Sequence, residues 1–369
     1  QANINGSARL QLPHGARLIT RRLADIGYRC GLAGKLHISS AWPGIEARVD
    51  DGYEEFWYSH SPTQPCNAQN QYVGWLAELG RLDEVMDRSA ENKALHMGVK
   101  YRKQVPPELH QTRWCCDRAR EFMTLHQDQP WLMSVNIFDP HPPFDAPREY
   151  AERYENMQLP LPLFTEHDEK NQARLSTHCF QSSCRCPGGE VMKRKASYYG
   201  MIQLIDENVG RLLDRLEETN QRDRTIIIFT SDHGEMLGDH GLLFKGCRFY
   251  EPLIRVPLIF SWPGQFASGR RVDGLVELTD LAPTLAELCG ASAGWTHGKS
   301  LVSQLTGEAD PARHRDFVRC EFYDVLDPHF GKPDRSAHQP SYATMYRDER
   351  YKLSIYHGNN DYGELYDLS

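Results

Sequence analysis

The 369-residue sequence has no apolar run long enough to cross a bilayer. Its longest, around Thr225–Thr230 and Trp131–Val135, fall far short of the roughly 20 residues a spanning helix needs. It has no excess of basic charge. Lys and Arg number 42 against 50 Asp and Glu, for a net charge of −8, which argues against general nucleic-acid binding, where a basic face is required. Its 10 cysteines include no CxxC pair and are too sparse for a disulfide-stapled scaffold. The nearest approach to a metal cluster, His178-Cys179-x4-Cys184-x-Cys186, matches no common zinc spacing and reads as a loop. Cys115-Cys116 falls in a helical stretch and reads as packing. There is no internal repeat. Gln1 is followed by neither a basic n-region nor an apolar h-region, so no targeting signal is legible. What is present is ordinary for a globular chain: 40% hydrophobic and 25% charged residues, at a length that allows one large domain or two.

The order of elements points to an α/β fold. Ala16–Gly27 reads as an amphipathic helix, and Tyr28–Ala33 as a short buried strand that runs into Gly34-Lys35-Leu36-His37. A helix over about 109–127 precedes the strand Trp131–Phe138, a continuous apolar run of the kind covered on both faces. It opens onto Asp139-Pro140-His141-Pro142-Pro143-Phe144, where the prolines stop the strand. Residues 145–190 read as an irregular insertion. The longest helix covers about 193–219, with Tyr198, Met201, Ile202, Ile205, Val209, Leu212, Leu213 and Leu216 as its core stripe. Thr225–Thr230 reads as a buried strand opening onto Ser231-Asp232-His233-Gly234, and a further strand covers about 256–261. A helix then starts near Thr279 or Asp280, with Pro283 in its first turn. After about 310 four short strands, Phe317–Tyr323, Ser341–Arg347, Tyr351–Tyr356 and Glu364–Asp367, indicate a small antiparallel subdomain. The expected organisation is an α/β domain over 1–309 and a C-terminal subdomain over 310–369.

Ligands in such sheets sit beyond the C-terminal ends of strands. Three polar clusters lie there: Lys35/His37, Asp139/His141 and Asp232/His233. Asp232 and His233 supply a carboxylate oxygen and an imidazole nitrogen, half of a divalent-metal site. Oxygen-rich sites suit Ca²⁺, Mg²⁺ or Mn²⁺, and the histidine tilts the choice toward a transition metal. Taken alone, the pair reads as a turn cap and a packed histidine. Lys35, His37, His141 and Lys245 together would hold an anion and stabilise charge developing on it, with a histidine available to protonate a leaving oxygen. Each has a plainer reading, Lys245 as a partner of Glu251 among them. Trp42, Trp57, Tyr58 and Trp295 are candidate ring-stacking residues, although loop aromatics more often pack.

These residues resemble the formylglycine-dependent sulfatases of the alkaline phosphatase superfamily. Gly34-Lys35-Leu36-His37 is similar to the family's GKWH element, and Leu23–Arg29 to its lead-in. Asp139–Phe144 resembles the HxPF loop. Most specific is the stretch from Phe229 to Gly246, FTSDHGEMLGDHGLLFKG, with Tyr250-Glu251 and Arg255–Ile259 beyond it. Gly363–Leu368 resembles the last strand of the family's C-terminal subdomain, so the likeness runs over about residues 12–369. It implies an alkaline-phosphatase-like, mostly parallel central sheet sandwiched by helices, with a small antiparallel C-terminal subdomain. It also implies hydrolysis of a sulfate monoester on a glycan or on an aryl or alkyl alcohol. Asp232 and His233 would ligate one divalent metal, Ca²⁺ first, with Mg²⁺ or Mn²⁺ as alternatives. Lys35 and Lys245 would bind sulfate oxygens, His37 would contact the nucleophile, His141 would serve as general acid, and His240 would line the pocket.

The family's nucleophile is a formylglycine made from Cys or Ser in a C/S-x-P-x-R motif, and two further acidic ligands sit near it. Neither that motif nor an Asp-Asp pair precedes Lys35. The expectation is therefore a fragment whose nucleophile lies upstream, and a 369-residue chain with no turnover by itself. Degeneration into a non-catalytic relative is the competing reading. A phosphonate monoester or phosphodiester hydrolase of the same superfamily, and a metal-independent module binding sulfated glycans, are the alternative functions. The expected partner is a small-molecule or glycan sulfate ester, with no nucleic acid and no membrane span. The likeness favours a periplasmic, secreted or lysosomal setting and leaves a cytoplasmic one open. Oligomeric state is not legible.

Overall fold

The computed structural model describes residues 12, 15–38, 46, 48–62, 70–85, 105–174, 188–323, 342–357 and 362–369. Trp42, the 178–186 Cys/His run and residues 324–340 lie outside these residues. The chain forms two compact units, one from residues 27–161 and 186–221, the other from 1–26, 162–185 and 222–369. Among the described residues no helix is long and apolar enough to cross a membrane.

The first unit is built on a three-stranded parallel sheet. Its strands are β1 (Arg29–Gly34), β2 (Glu55–Tyr58) and β3 (Trp131–Asn136), in the order β2-β1-β3. β1 is buried over five of its six positions, as its apolar RCGLAG run demands. Trp114 and Cys115 of the helix Gln111–Leu125, with Tyr72, Val73 and Leu76 of the helix Gln71–Glu78, pack around Ala33 to make the core. Cys116 is buried beside Cys115, which bears out their reading as packing residues. The register sets Gly34 opposite Asn136, so β1 and β3 end level with one another.

Gly34 is held at that end by close approach. Its φ is +110°, and a Cβ there would stand 2.0 Å from the Asn136 carbonyl oxygen. Lys35 N–H donates to that carbonyl at 2.9 Å, and Asn136 Nδ2 donates back to the Lys35 carbonyl at 2.8 Å.

The long helix covers Gly188–Glu218, and its buried face is rotated from the expected stripe. Met201, Leu204, Ile205 and Leu216 are buried, whereas Ile202 is 40% exposed. Periodicity gives a stripe about 100° wide, and the neighbouring helices Gln111–Leu125 and Arg148–Glu155 select which edge of it is covered. The 145–190 stretch is less irregular than its composition suggests, because it holds the helices Arg148–Glu155 and Glu166–Arg174. Trp57 and Tyr58 belong to β2, with Tyr58 buried, so these two aromatics are packing residues.

The second unit carries a two-stranded antiparallel pair and a four-stranded antiparallel sheet. β4 (Ile227–Thr230) pairs with β5 (Leu258–Ser261), and β6 (Val318–Tyr323), β7 (Tyr342–Arg347), β8 (Tyr351–His357) and β9 (Tyr362–Asp367) form a meander. The four C-terminal strands lie where alternation placed them. β4 is less buried than its TIIIFT run demands: Phe229 is 37% and Ile259 of β5 58% exposed, with β5 the one strand beside β4 among the described residues. The mixed α/β class, parallel sheet and small antiparallel C-terminal sheet match the expected fold.

The four-stranded sheet also anchors the chain that follows β4. Cys247 and Phe249 pack with Ala343, Met345 and Tyr356. Tyr356 Oη donates to Glu364 at 2.9 Å, and Glu251 pairs with Arg347 and Lys352 at 2.9 and 3.1 Å. Burial alone would raise the Glu251 carboxyl, but those two cations hold it below the usual carboxylate range. Glu251 is thus engaged by the sheet, and Lys245 takes a different partner.

Candidate active site

Each unit carries one part of the expected constellation, and each part is described within its own unit. In the second unit the chain leaves β4 at Thr230 and turns through Ser231-Asp232-His233-Gly234. His233 Nδ1 lies 2.8 Å from the Gly234 carbonyl. A carbonyl can only accept, so Nδ1 carries the proton and Nε2 presents its lone pair. Lys245 Nζ stands 2.9 Å from that Nε2 and donates to it. Asp232 Oδ2 is 3.7 Å from Nε2, while Asp232 Oδ1 accepts the His233 N–H at 3.0 Å. Two unlike donor atoms therefore face one small volume beside an ammonium.

Glu235, which the sequence reading passed over, closes this turn. Its Oε1 accepts Leu237 N–H at 3.3 Å and also accepts from Phe244 N–H, next to Lys245. Burial pushes its carboxyl up to about 7, against those amides and the Lys245 charge. A lone glutamate in a Gly-rich loop carries no sequence signal for this role.

His240 is held within the same unit. Its Nδ1 is 2.7 Å from Asp168 Oδ1, and its ring stacks on Tyr250 with centroids 3.9 Å apart. Its N–H donates to the Leu163 carbonyl at 2.6 Å, and its φ is 56°. Burial raises the Asp168 carboxyl, but His240 and Thr165 outweigh it and bring the group below its ordinary value.

In the first unit Lys35 and His141 flank one ring. Lys35 Nζ lies 5.8 Å from the Phe138 centroid, and the His141 ring centroid is 4.5 Å from it. His141 Nδ1 donates to the Pro142 carbonyl at 2.7 Å, so its Nε2 is the nitrogen that exchanges a proton. The ends of β2 and β3 are tied by Gln111: its Nε2 donates to Ser59 Oγ at 2.9 Å, and its Oε1 accepts Phe138 N–H at 3.2 Å.

His37 follows Lys35 with φ 58°, a left-handed conformation unusual for a residue with a Cβ. Buried Glu46 stabilises it. One carboxylate oxygen accepts His37 N–H at 2.7 Å, and the other accepts Ile38 N–H. His60 stacks edge-on to His37 with centroids 5.0 Å apart, and His37, Glu46 and His60 offer ligand atoms within 4.8 Å of one another. Glu46, His60 and Gln111 belong to none of the motifs, so only the folded chain shows which groups they meet.

The parallel sheet covered by helices and the small antiparallel C-terminal sheet make an alkaline-phosphatase-like fold. SpPMH, a phosphonate monoester hydrolase from Silicibacter pomeroyi, superposes with a TM-score of 0.79 at 23% identity, over 98% of this chain and 76% of that one. The sulfatase family profile matches residues 5–291, and a profile for the N-sulphoglucosamine sulphohydrolase C-terminal region matches 238–369. The chain belongs to the sulfatase family. An arylsulfatase of Clostridium perfringens is 33% identical over 324 residues, covering 82% of this chain and 64% of that protein. The multifunctional alkaline phosphatase superfamily protein PehA of Trinickia caryophylli is 29% identical over 306 residues, covering 76% and 59%. The chain thus spans less than two thirds of the length of these two relatives.

Proposed function

We propose that this chain carries the metal-binding and cationic part of a sulfuric ester hydrolase acting on a sulfate monoester of a glycan or of an aryl or alkyl alcohol. The observation that carries this reading is the contact of His233 Nε2 with Lys245 Nζ at 2.9 Å, with Asp232 Oδ2 3.7 Å away. A carboxylate oxygen and an imidazole lone pair fit a divalent cation, Ca²⁺ first and Mg²⁺ or Mn²⁺ next. Asp232 and His233 would hold such a cation, which would supply Lewis-acid charge to a sulfuryl oxygen. With it bound, Lys245 would donate to the sulfate oxygens instead of to Nε2. Lys35 is assigned the same class of contact by the family resemblance. His141 Nε2 delivers a proton to the leaving alcohol oxygen, its ring held by the Pro142 carbonyl. His37 is assigned to the nucleophile, its backbone fixed by Glu46. His240, paired with Asp168, is assigned to holding the wall of the pocket.

The formylglycine implied by the family has no position here, since no Cys or Ser of this chain is followed by x-P-x-R. The residues present therefore support substrate binding, charge stabilisation and proton delivery, and no nucleophilic step.

A phosphonate monoester or phosphodiester hydrolase is the second reading. It is favoured by the fold match to SpPMH and by a phosphonate monoester hydrolase of Agrobacterium radiobacter, 26% identical with a TM-score of 0.72. Assay of the full-length gene product on an aryl sulfate, an aryl phosphonate monoester and an aryl phosphodiester separates the two. Sulfate turnover exceeding the others, lost on chelation and in Asp232→Ala, is expected. Phosphonate turnover exceeding sulfate turnover overturns the first reading in favour of the second. Metal-independent binding of a sulfated glycan without hydrolysis overturns both.

A further inference from the structure

A buried cluster in the first unit is not used by this chemistry. His110, Asp139 and Asp145 are 3%, 7% and 4% exposed, and each offers a ligand atom within 4.8 Å of the other two. His110 is the N-cap of the helix Gln111–Leu125, where its Nδ1 accepts the Thr112 N–H at 3.4 Å. The same Nδ1 lies 3.3 Å from Asp139 Oδ2. A ring nitrogen that accepts an amide proton has none to give a carboxylate, so two lone pairs face each other there. The Thr112 hydroxyl donates to Asp139 Oδ2 as well. Asp139 Oδ1 is buried with no hydrogen-bond partner, and Asp139 pairs with no Lys or Arg among the described residues. A buried carboxylate oxygen left in that state costs the fold unless a cation reaches it.

We propose that His110, Asp139 and Asp145 form a second divalent-cation site, distinct from Asp232 and His233, that clamps both ends of the Asp139–Asp145 loop to the start of the helix Gln111–Leu125. The donor set of one imidazole nitrogen and two carboxylates suits Zn²⁺ or Mn²⁺ better than Ca²⁺, which prefers oxygen alone. A divalent ion there gives Asp139 Oδ1 a partner and resolves the opposed lone pairs at His110 Nδ1. The loop so clamped carries His141. The cation fixes its backbone from below, while the Pro142 carbonyl fixes its ring. The role is structural, so the site does not depend on which ester the enzyme cleaves.

The test uses the chain with Asp232→Ala and His233→Ala, which removes the two ligands proposed for the other cation. The coordination shell separates the cluster from His37, Glu46 and His60, which would supply two imidazoles. It is loaded with Zn²⁺, or separately with Mn²⁺, dialysed, and its metal content measured. About one equivalent should remain bound, as for a structural site, and it should disappear when Asp145→Asn is added. X-ray absorption of the Zn²⁺-loaded double variant should show one imidazole among oxygen ligands. That spectrum reads the site without altering it, so misfolding of the Asp145→Asn variant leaves the test intact. A metal-free double variant overturns the proposal, and so does a shell containing sulfur or two imidazoles. Neither result bears on sulfate hydrolysis, which the substrate panel decides separately.

Discussion

Adding one methyl group at Gly234 tests whether the Asp232-His233 turn is as tightly built as its geometry states. A Cβ at Gly234 would lie 1.9 Å from the Pro252 carbonyl oxygen and 3.2 Å from Leu253 Cα. Ordinary contact is about 3.5 Å, so backbone must move by roughly 1.5 Å. The obstacle is backbone rather than a flexible side chain, and the Gly234 N–H donates to the Leu253 carbonyl at 2.7 Å across the same gap. Overpacking costs about 1–3 kcal/mol and the weakened hydrogen bond about 1, so Gly234→Ala should destabilise by roughly 2–4 kcal/mol. For a unit of about two hundred residues that lowers the melting temperature by about 4–16 °C. The same methyl added at Gly210, inside the long helix, meets nothing within 4 Å. It should be neutral or stabilise by up to about 1 kcal/mol. Thermal melts of both variants read the stability, and a calcium titration by calorimetry tests the proposed ligands Asp232 and His233 beside them. Gly234→Ala melting within about a degree of wild type would refute the claim that this turn is sterically determined.

Asp280 is fully buried and accepts from Arg315 Nε at 3.0 Å, Lys299 N–H at 2.7 Å and Glu277 N–H at 3.0 Å. Burial raises its carboxyl, but Arg315 and those amides bring it below its ordinary value. A depressed carboxyl stabilises above its unfolded pKa of about 3.9 and loses that contribution as pH falls through the folded value. Asp280→Asn should therefore cost about 3 kcal/mol at pH 7, and the gap in melting temperature should close in acid. A gap unchanged from pH 7 to pH 3 contradicts this.

Burial pushes the Cys116 thiol up to about 12 and Cys115 well above its ordinary value, so neither should alkylate at pH 8 before unfolding. Peptide mapping after iodoacetamide treatment checks it, and labelling of either in the native chain counts against the core packing. Glu46→Ala strands the part-buried His37 and Ile38 amides, each lost hydrogen bond costing about 1 kcal/mol. In the full-length enzyme it should lower kcat far more than Glu46→Gln does. Gln keeps one acceptor oxygen for one of the two amides, so equal losses in the two variants would show that a single retained contact does not position His37.

Much of this protein was legible in one dimension. Short-range periodicity located β1, β3 and the four C-terminal strands, because apolar runs and alternation report burial directly. GKLH, DPHPPF and SDHG marked the strand ends at which the polar groups stand, because glycine is needed where two backbones meet and proline where a strand must stop. β2 and the helix Gln71–Glu78 escaped notice, since a four-residue strand and an eight-residue helix carry little pattern. The partners of the site were decided only in three dimensions. Lys245 meets His233 across 12 positions, Glu46 reaches back 9 to His37, and Asp139 meets His110 through the helix that starts beside it. Residue type and local spacing determine which groups can do chemistry. Which lone pair faces which proton depends on strand register and loop closure, and those are set by packing between segments distant in the chain.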